Sequence, residues 1–90
     1  MAWTVEYAES VRKPVSKLDP QTRARIRSFL EEKIARLDDP RSQGKALTGP
    51  FRGLWRYRVG DYRIICDLVD GRLVILVVKI DHRSNVYRER

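Results

Sequence analysis

Residues 54–69 read LWRYRVGDYRIICDLV, and the fold turns on the Gly60-Asp61 pair at their centre. On both sides of that pair residues alternate with the period of two that marks half-buried strands. A glycine followed by a polar residue is a recognised two-residue hairpin connection. Leu54 to Val59 and Tyr62 to Val69 are therefore expected as consecutive antiparallel strands. Asp70-Gly71 repeats the signal, so Arg72 to Ile80 extends the pair to a three-strand meander.

Working back from the meander, Arg41 to Gly53 is polar and glycine-bearing and reads as one long loop. Before it, Asp19 can cap a helix that opens on Pro20, because proline is preorganised for the first helical position. Ile26, Phe29, Leu30, Ile34 and Leu37 follow at helical spacing, and Pro40 stops the run. Arg23, Arg25, Arg27, Glu31, Glu32 and Lys33 fill the other positions as a solvated, ion-paired face. Val11, Val15 and Leu18 give a shorter apolar stripe, with Pro14 expected to kink it. Trp3, Val5 and Tyr7 alternate against Thr4 and Glu6 as an opening strand. The meander leaves two open edges, and this strand is expected to pair with one of them. The predicted fold is α+β, in the order β-α-α-β-β-β, with two N-terminal helices packed on a mainly antiparallel four-stranded sheet. Residues 1–90 form a single domain without repeats or linkers.

Composition narrows the partners. A formal charge of +7 with 14 arginines against 5 lysines suits a polyanion, nucleic acid first, because the planar guanidinium matches phosphate oxygens. Arginine-favouring codon usage is the alternative source of the ratio. Cys66 is the only cysteine, so no intramolecular disulfide forms, and a reducing, cytoplasmic setting is expected. No apolar stretch reaches membrane-spanning length and none resembles a targeting signal, so no membrane partner is expected. Asp61, Asp67, Asp70 and Asp81 are scattered without ligand spacing, which predicts neither metal nor cofactor.

The hairpin register sharpens the charge. A two-residue turn pairs Val59 with Tyr62, so Arg58 stands opposite Arg63 on one face, and Arg56 joins them two residues back. Like charges placed opposite each other destabilise a sheet, whereas an anionic ligand gives them a use. Strict alternation puts Ile65, Val74, Leu76 and Val78 on the same side. Trp55, Tyr57, Ile64, Cys66, Leu68, Leu73, Ile75 and Val77 face the helices, with Cys66 inert in the core. The outer face is thus arginine-rich near the first hairpin and apolar further along. Either RNA and a protein partner cover it, or the C-terminal tail packs on its aliphatics. Continuing the alternation brings His82, the only histidine, to the arginine side. Trp3 and Trp55 read as packing residues, and Lys45 and Arg52 as loop cations that are either solvated or in contact with RNA.

With Leu47-Thr48-Gly49 leading into Trp55-Arg56-Tyr57-Arg58-Val59-Gly60-Asp61-Tyr62-Arg63, and with the ending His82-Arg83-Ser84-Asn85-Val86-Tyr87, the chain resembles the RelE toxins of the RelE/ParE toxin–antitoxin superfamily. The resemblance spans nearly all of its length. It implies a RelE-like fold and a toxin that enters the ribosomal A site, beside 16S rRNA, and cuts mRNA there. Such an mRNA interferase is a metal-independent endoribonuclease that blocks translation through attack of the 2′-hydroxyl on its own phosphate. A cognate antitoxin silences it, and operator DNA is met only through the toxin–antitoxin complex. The resemblance places the working residues at Arg56, Arg58, Arg63, Arg83 and Tyr87, with Arg56, Arg63, Arg83 and Tyr87 taken as catalytic and Arg58, with the loop cations Lys45 and Arg52, as RNA-binding. His82 is a further catalytic candidate because an imidazole suits acid-base work, its alternative being a structural hydrogen-bonder at a strand end. Some members carry lysines where Arg56 and Arg58 stand, and arginine cannot realistically serve as a base. One pattern in the superfamily has an arginine at the position of Asp81. Two other readings remain: a ParE-like poison of DNA gyrase without a nuclease site, and a non-catalytic RNA-binding relative.

Overall fold

Gly60 has φ of 60°, and Asp61 does not share the positive-φ region, the φ signature of a type II′ turn. This turn sets the register from which the sheet grows. The computed structural model describes residues 2–82. They form β1 (Thr4–Tyr7), α1 (Glu9–Ser16), α2 (Pro20–Ser28), β2 (Lys45–Ala46), β3 (Trp55–Val59), β4 (Tyr62–Val69) and β5 (Val74–His82). The sheet order is β1-β5-β4-β3-β2.

The meander is present, and both of its edges are covered. β1 lies parallel to β5, with Val5 opposite Ile75 and Tyr7 opposite Val77. β2 lies antiparallel to β3, which makes the sheet five-stranded rather than four-stranded. This fifth strand comes from the segment read as one long loop. That segment also carries 3-10 turns at Pro40–Gln43 and Gly49–Phe51.

The second hairpin departs from the two-residue reading. Asp70–Arg72 forms a 3-10 turn, and Leu73 takes left-handed backbone at φ 53° and ψ 50°. Val69 pairs with Val74, so four residues make the connection, and β5 starts at Val74 and runs on to His82. A leucine in this conformation is costly. Two contacts hold it there: its carbonyl accepts the Thr4 N–H at 2.9 Å, and its side chain packs on the core.

Asp19 caps α2 as expected, accepting from the Thr22 N–H at 3.1 Å and the Thr22 hydroxyl at 2.6 Å. These bonds hold the Asp19 carboxyl below its usual pKa. Past Ser28 the helix continues as a π-helical segment, Phe29–Ile34, with the Ala35 N–H bonded to the Leu30 carbonyl at 2.8 Å. The wider turn keeps Leu30, Ile34 and Ala35 together in the core. No helix among the described residues is long and apolar enough to cross a membrane.

The core lies between the helices and one face of the sheet, joining Val11, Ile26, Leu30 and Ile34 to Tyr57, Ile64, Cys66, Ile75 and Val77. Leu30, Ile34, Ile64, Ile75 and Val77 have at most 0% exposure, each stabilising the fold by roughly 1.5–3 kcal/mol relative to an exposed position. Burial, reinforced by nearby Asp67, pushes the Cys66 thiol up from 9.0 to about 12. Cys66 is therefore expected to resist iodoacetamide in the native protein at pH 8 and to react once guanidinium unfolds the chain. Equal labelling in both states, read by mass spectrometry, would contradict this placement. The shift also has a sign for stability. As pH rises above 9.0, the unfolded thiol ionises while the folded one stays neutral, so stability falls on the alkaline side.

Candidate nucleic-acid interface

Residues paired directly across an antiparallel ladder share a face, and the register brings the cations together. Arg58 lies opposite Arg63, and Arg56 lies opposite Ile65. β2 adds Lys45 directly opposite Arg56. The three arginines expected on one face are thus joined by Lys45, which the short edge strand fixes in the same row.

β5 completes the face in a way that strict alternation missed. Ile65 pairs with Lys79 while Cys66 pairs with Val77, so Val78 is an extra residue in a β-bulge. One inserted residue reverses the phase of everything beyond it. Asp81 therefore stands opposite Arg63, and His82 stands opposite Tyr62 on the helix side. The expectation that His82 faces the arginines is corrected by this bulge. Its ring meets Tyr62 edge-on at 5.0 Å between centroids, and it lines a separate hollow with Thr22, Arg25, Val59, Gly60 and Asp61.

On the outer face, Arg56, Arg63, Lys79 and Asp81 line an open hollow of about 180 Å³ together with Leu47, Phe51 and Ile65. Cations and apolar side chains alternate around it: Ile65 lies between Arg56 and Lys79 in the cross-strand row. The Lys79 ammonium lies 3.6 Å from the Asp81 carboxylate and 5.3 Å from the centre of the Phe51 ring. The Arg56 guanidinium has its pKa lowered by burial first, then by Arg63 and Arg58. It remains cationic at any physiological pH. Arg56, Arg58, Arg63, Lys45 and Lys79 thus share this face, with Asp81 beside Arg63 and Lys79, an excess of positive charge that repels itself and attracts a phosphate. Among the described residues, no three His, Cys, Asp or Glu side chains converge as a metal-binding group.

The remaining candidates are elsewhere. Arg52 is exposed beside the Gly49–Phe51 turn and is not among the residues lining the hollow. Trp3 is buried in the core and Trp55 packs against it, as packing residues should. Arg83 and Tyr87 lie outside the described residues. Lys79, Asp81 and Phe51 were missed. A signal for the first two was present: a single phase from Ile75 through Asp81 would bury both charges and turn Ile80 outward, a conflict that a bulge resolves.

The same two-helix layer on a mixed sheet is found in solved structures of small toxins of toxin–antitoxin systems. The family model for the ParE toxin of type II toxin–antitoxin systems matches residues 5–87, and the chain belongs to this RelE/ParE family. It is 28% identical over 88 residues to toxin RelG of Mycobacterium tuberculosis, covering 98% of this chain and 99% of that relative. It is 35% identical over 77 residues to toxin RelE of the same organism, covering 74% of this chain and 79% of the relative. Among solved structures, the toxin–antitoxin complex RelBE2 of M. tuberculosis superposes with a TM-score of 0.82 at 26% identity, over 93% of this chain and 94% of that one. The isolated RelE toxin of Escherichia coli shares the fold, with a TM-score of 0.69 at 22% identity over 98% of this chain and 94% of that one.

Proposed function

We propose that this toxin is a metal-independent endoribonuclease that cuts messenger RNA in the ribosomal A site and is silenced by a cognate antitoxin. The observation that carries the reading is the clustering of Arg56, Arg58 and Arg63 with Lys45 and Lys79 on one exposed face. When a 2′-hydroxyl attacks the adjacent phosphate, negative charge builds on the phosphorane oxygens. A pre-positioned guanidinium cluster stabilises that charge without reorganising. The products are a 2′,3′-cyclic phosphate and a 5′-hydroxyl.

Arg56 and Arg63 are assigned the transition-state charge, and Arg58, Lys45 and Arg52 the flanking phosphates. The chain's end supplies the rest: Arg83 holds the leaving oxygen and Tyr87 transfers the proton. A phenol starts from a pKa of about 10, and in general a cation placed beside one favours the phenolate that can accept a proton. His82 stands outside this clamp because the bulge turns it to the helix side. An antitoxin partner is supported by solved relatives, since the M. tuberculosis RelBE2 structure is a toxin–antitoxin complex.

The family description also names ParE toxins, which favours a second reading, a gyrase poison without nuclease activity. Two assays on purified toxin separate the readings. Message cut in the A site of programmed ribosomes, with gyrase supercoiling untouched, is the expected result. Intact message with supercoiling blocked would reverse the assignment.

A further inference from the structure

Phe51 is the one large hydrophobic side chain left exposed among the described residues, at 40%, and it is held rather than loose. Gly49, at φ 67°, opens the 3-10 turn that carries it, and the Leu54 N–H donates to the Phe51 carbonyl at 3.0 Å. Its ring lines the hollow with Leu47 and Ile65, beside Arg56, Arg63 and Lys79. A hollow of about 180 Å³ is smaller than the roughly 300–1,000 Å³ typical of drug-sized ligand sites. It suits one flat ring system. Cations interleaved with an apolar, aromatic wall, the Lys79 ammonium lying 5.3 Å from the centre of the Phe51 ring, fit a molecule that carries both an anionic group and a planar one, which is a nucleotide.

We propose that this hollow is a nucleobase subsite, in which Phe51 stacks on the base of a nucleotide whose phosphate Arg56 and Arg63 hold. The subsite rests on the nuclease reading and adds a base contact to it. Because the ring is 40% exposed and stands outside the core cluster, removing its aromaticity should leave the fold intact.

The test is a coupling measurement on programmed ribosomes. Phe51→Leu is expected to lower kcat/KM for an A-site message by on the order of tenfold, with its melting temperature unchanged. Phe51→Tyr and Phe51→Trp should stay within about threefold of the wild type, because either ring still stacks. A message with an abasic residue at one A-site position should slow the wild type equally, and should slow Phe51→Leu no further. Undiminished cleavage by Phe51→Leu, or losses that add at every abasic position, would overturn the subsite. Intact cleavage with weakened antitoxin binding would overturn it too, and would make Phe51 an antitoxin contact. A wild type that cuts no message removes the nuclease reading itself and the subsite with it.

Discussion

Arg63→Ala is expected to lower A-site message cleavage by about 10²–10³-fold, the usual effect of removing one preorganised donor from a developing anion. Arg63 stands between Arg58 on β3 and Asp81 on β5, at the middle of the cationic row. Removing it relieves the pairing of like charges with Arg58 and loses the pairing of opposite charges with Asp81, two small effects of opposite sign, the second worth roughly 0.2–1 kcal/mol. The variant should therefore melt close to the wild type while losing toxicity when expressed without antitoxin. That combination separates a catalytic loss from an unfolded protein. Full growth arrest by Arg63→Ala would remove the residue from the mechanism.

Tyr57→Ala is expected to destabilise the protein by about 3–5 kcal/mol, a large part of the stability of a domain this size. Tyr57 lies between Arg56 and Arg58 with its ring turned inward and 2% exposed. It meets Phe29 edge-on at 6.4 Å between centroids. Its hydroxyl donates to the Pro40 carbonyl at 2.7 Å, and a methyl group on Gly44 would come within 3.0 Å of its ring. The ring thus anchors the segment that leads into β2, and so the position of Lys45. Tyr57→Phe keeps the packing and loses only the hydrogen bond, at a cost of about 1–3 kcal/mol, because the buried carbonyl is left without its donor. Urea unfolding of both variants gives the comparison. A Tyr57→Ala midpoint equal to that of the wild type would show that the anchor is unimportant.

The legible parts of the fold were those encoded over short spans. Gly60-Asp61 specified the first turn, and from it the pairing of Arg58 with Arg63 followed without any tertiary information. Asp19-Pro20 and the spacing of Ile26, Leu30 and Ile34 specified the second helix. Asp70-Gly71 misled because its local chemistry fits both a two-residue turn and a longer one. Leu73 decides between them, and its left-handed backbone is held by a hydrogen bond from Thr4, nearly seventy positions away in the chain.

The chain's local pattern determined the arginine triplet, because a strand's alternation and a tight turn are properties of neighbouring residues. What surrounds the triplet was decided by tertiary structure. Lys45 joined it only when Lys45–Ala46 found the free edge of β3, and edge pairing depends on which hydrogen-bonding groups remain open. Lys79 and Asp81 entered the face, and His82 left it, through the Val78 bulge. A bulge is a compromise between two strands over which side chains to bury, and it forms only when β4 and β5 meet.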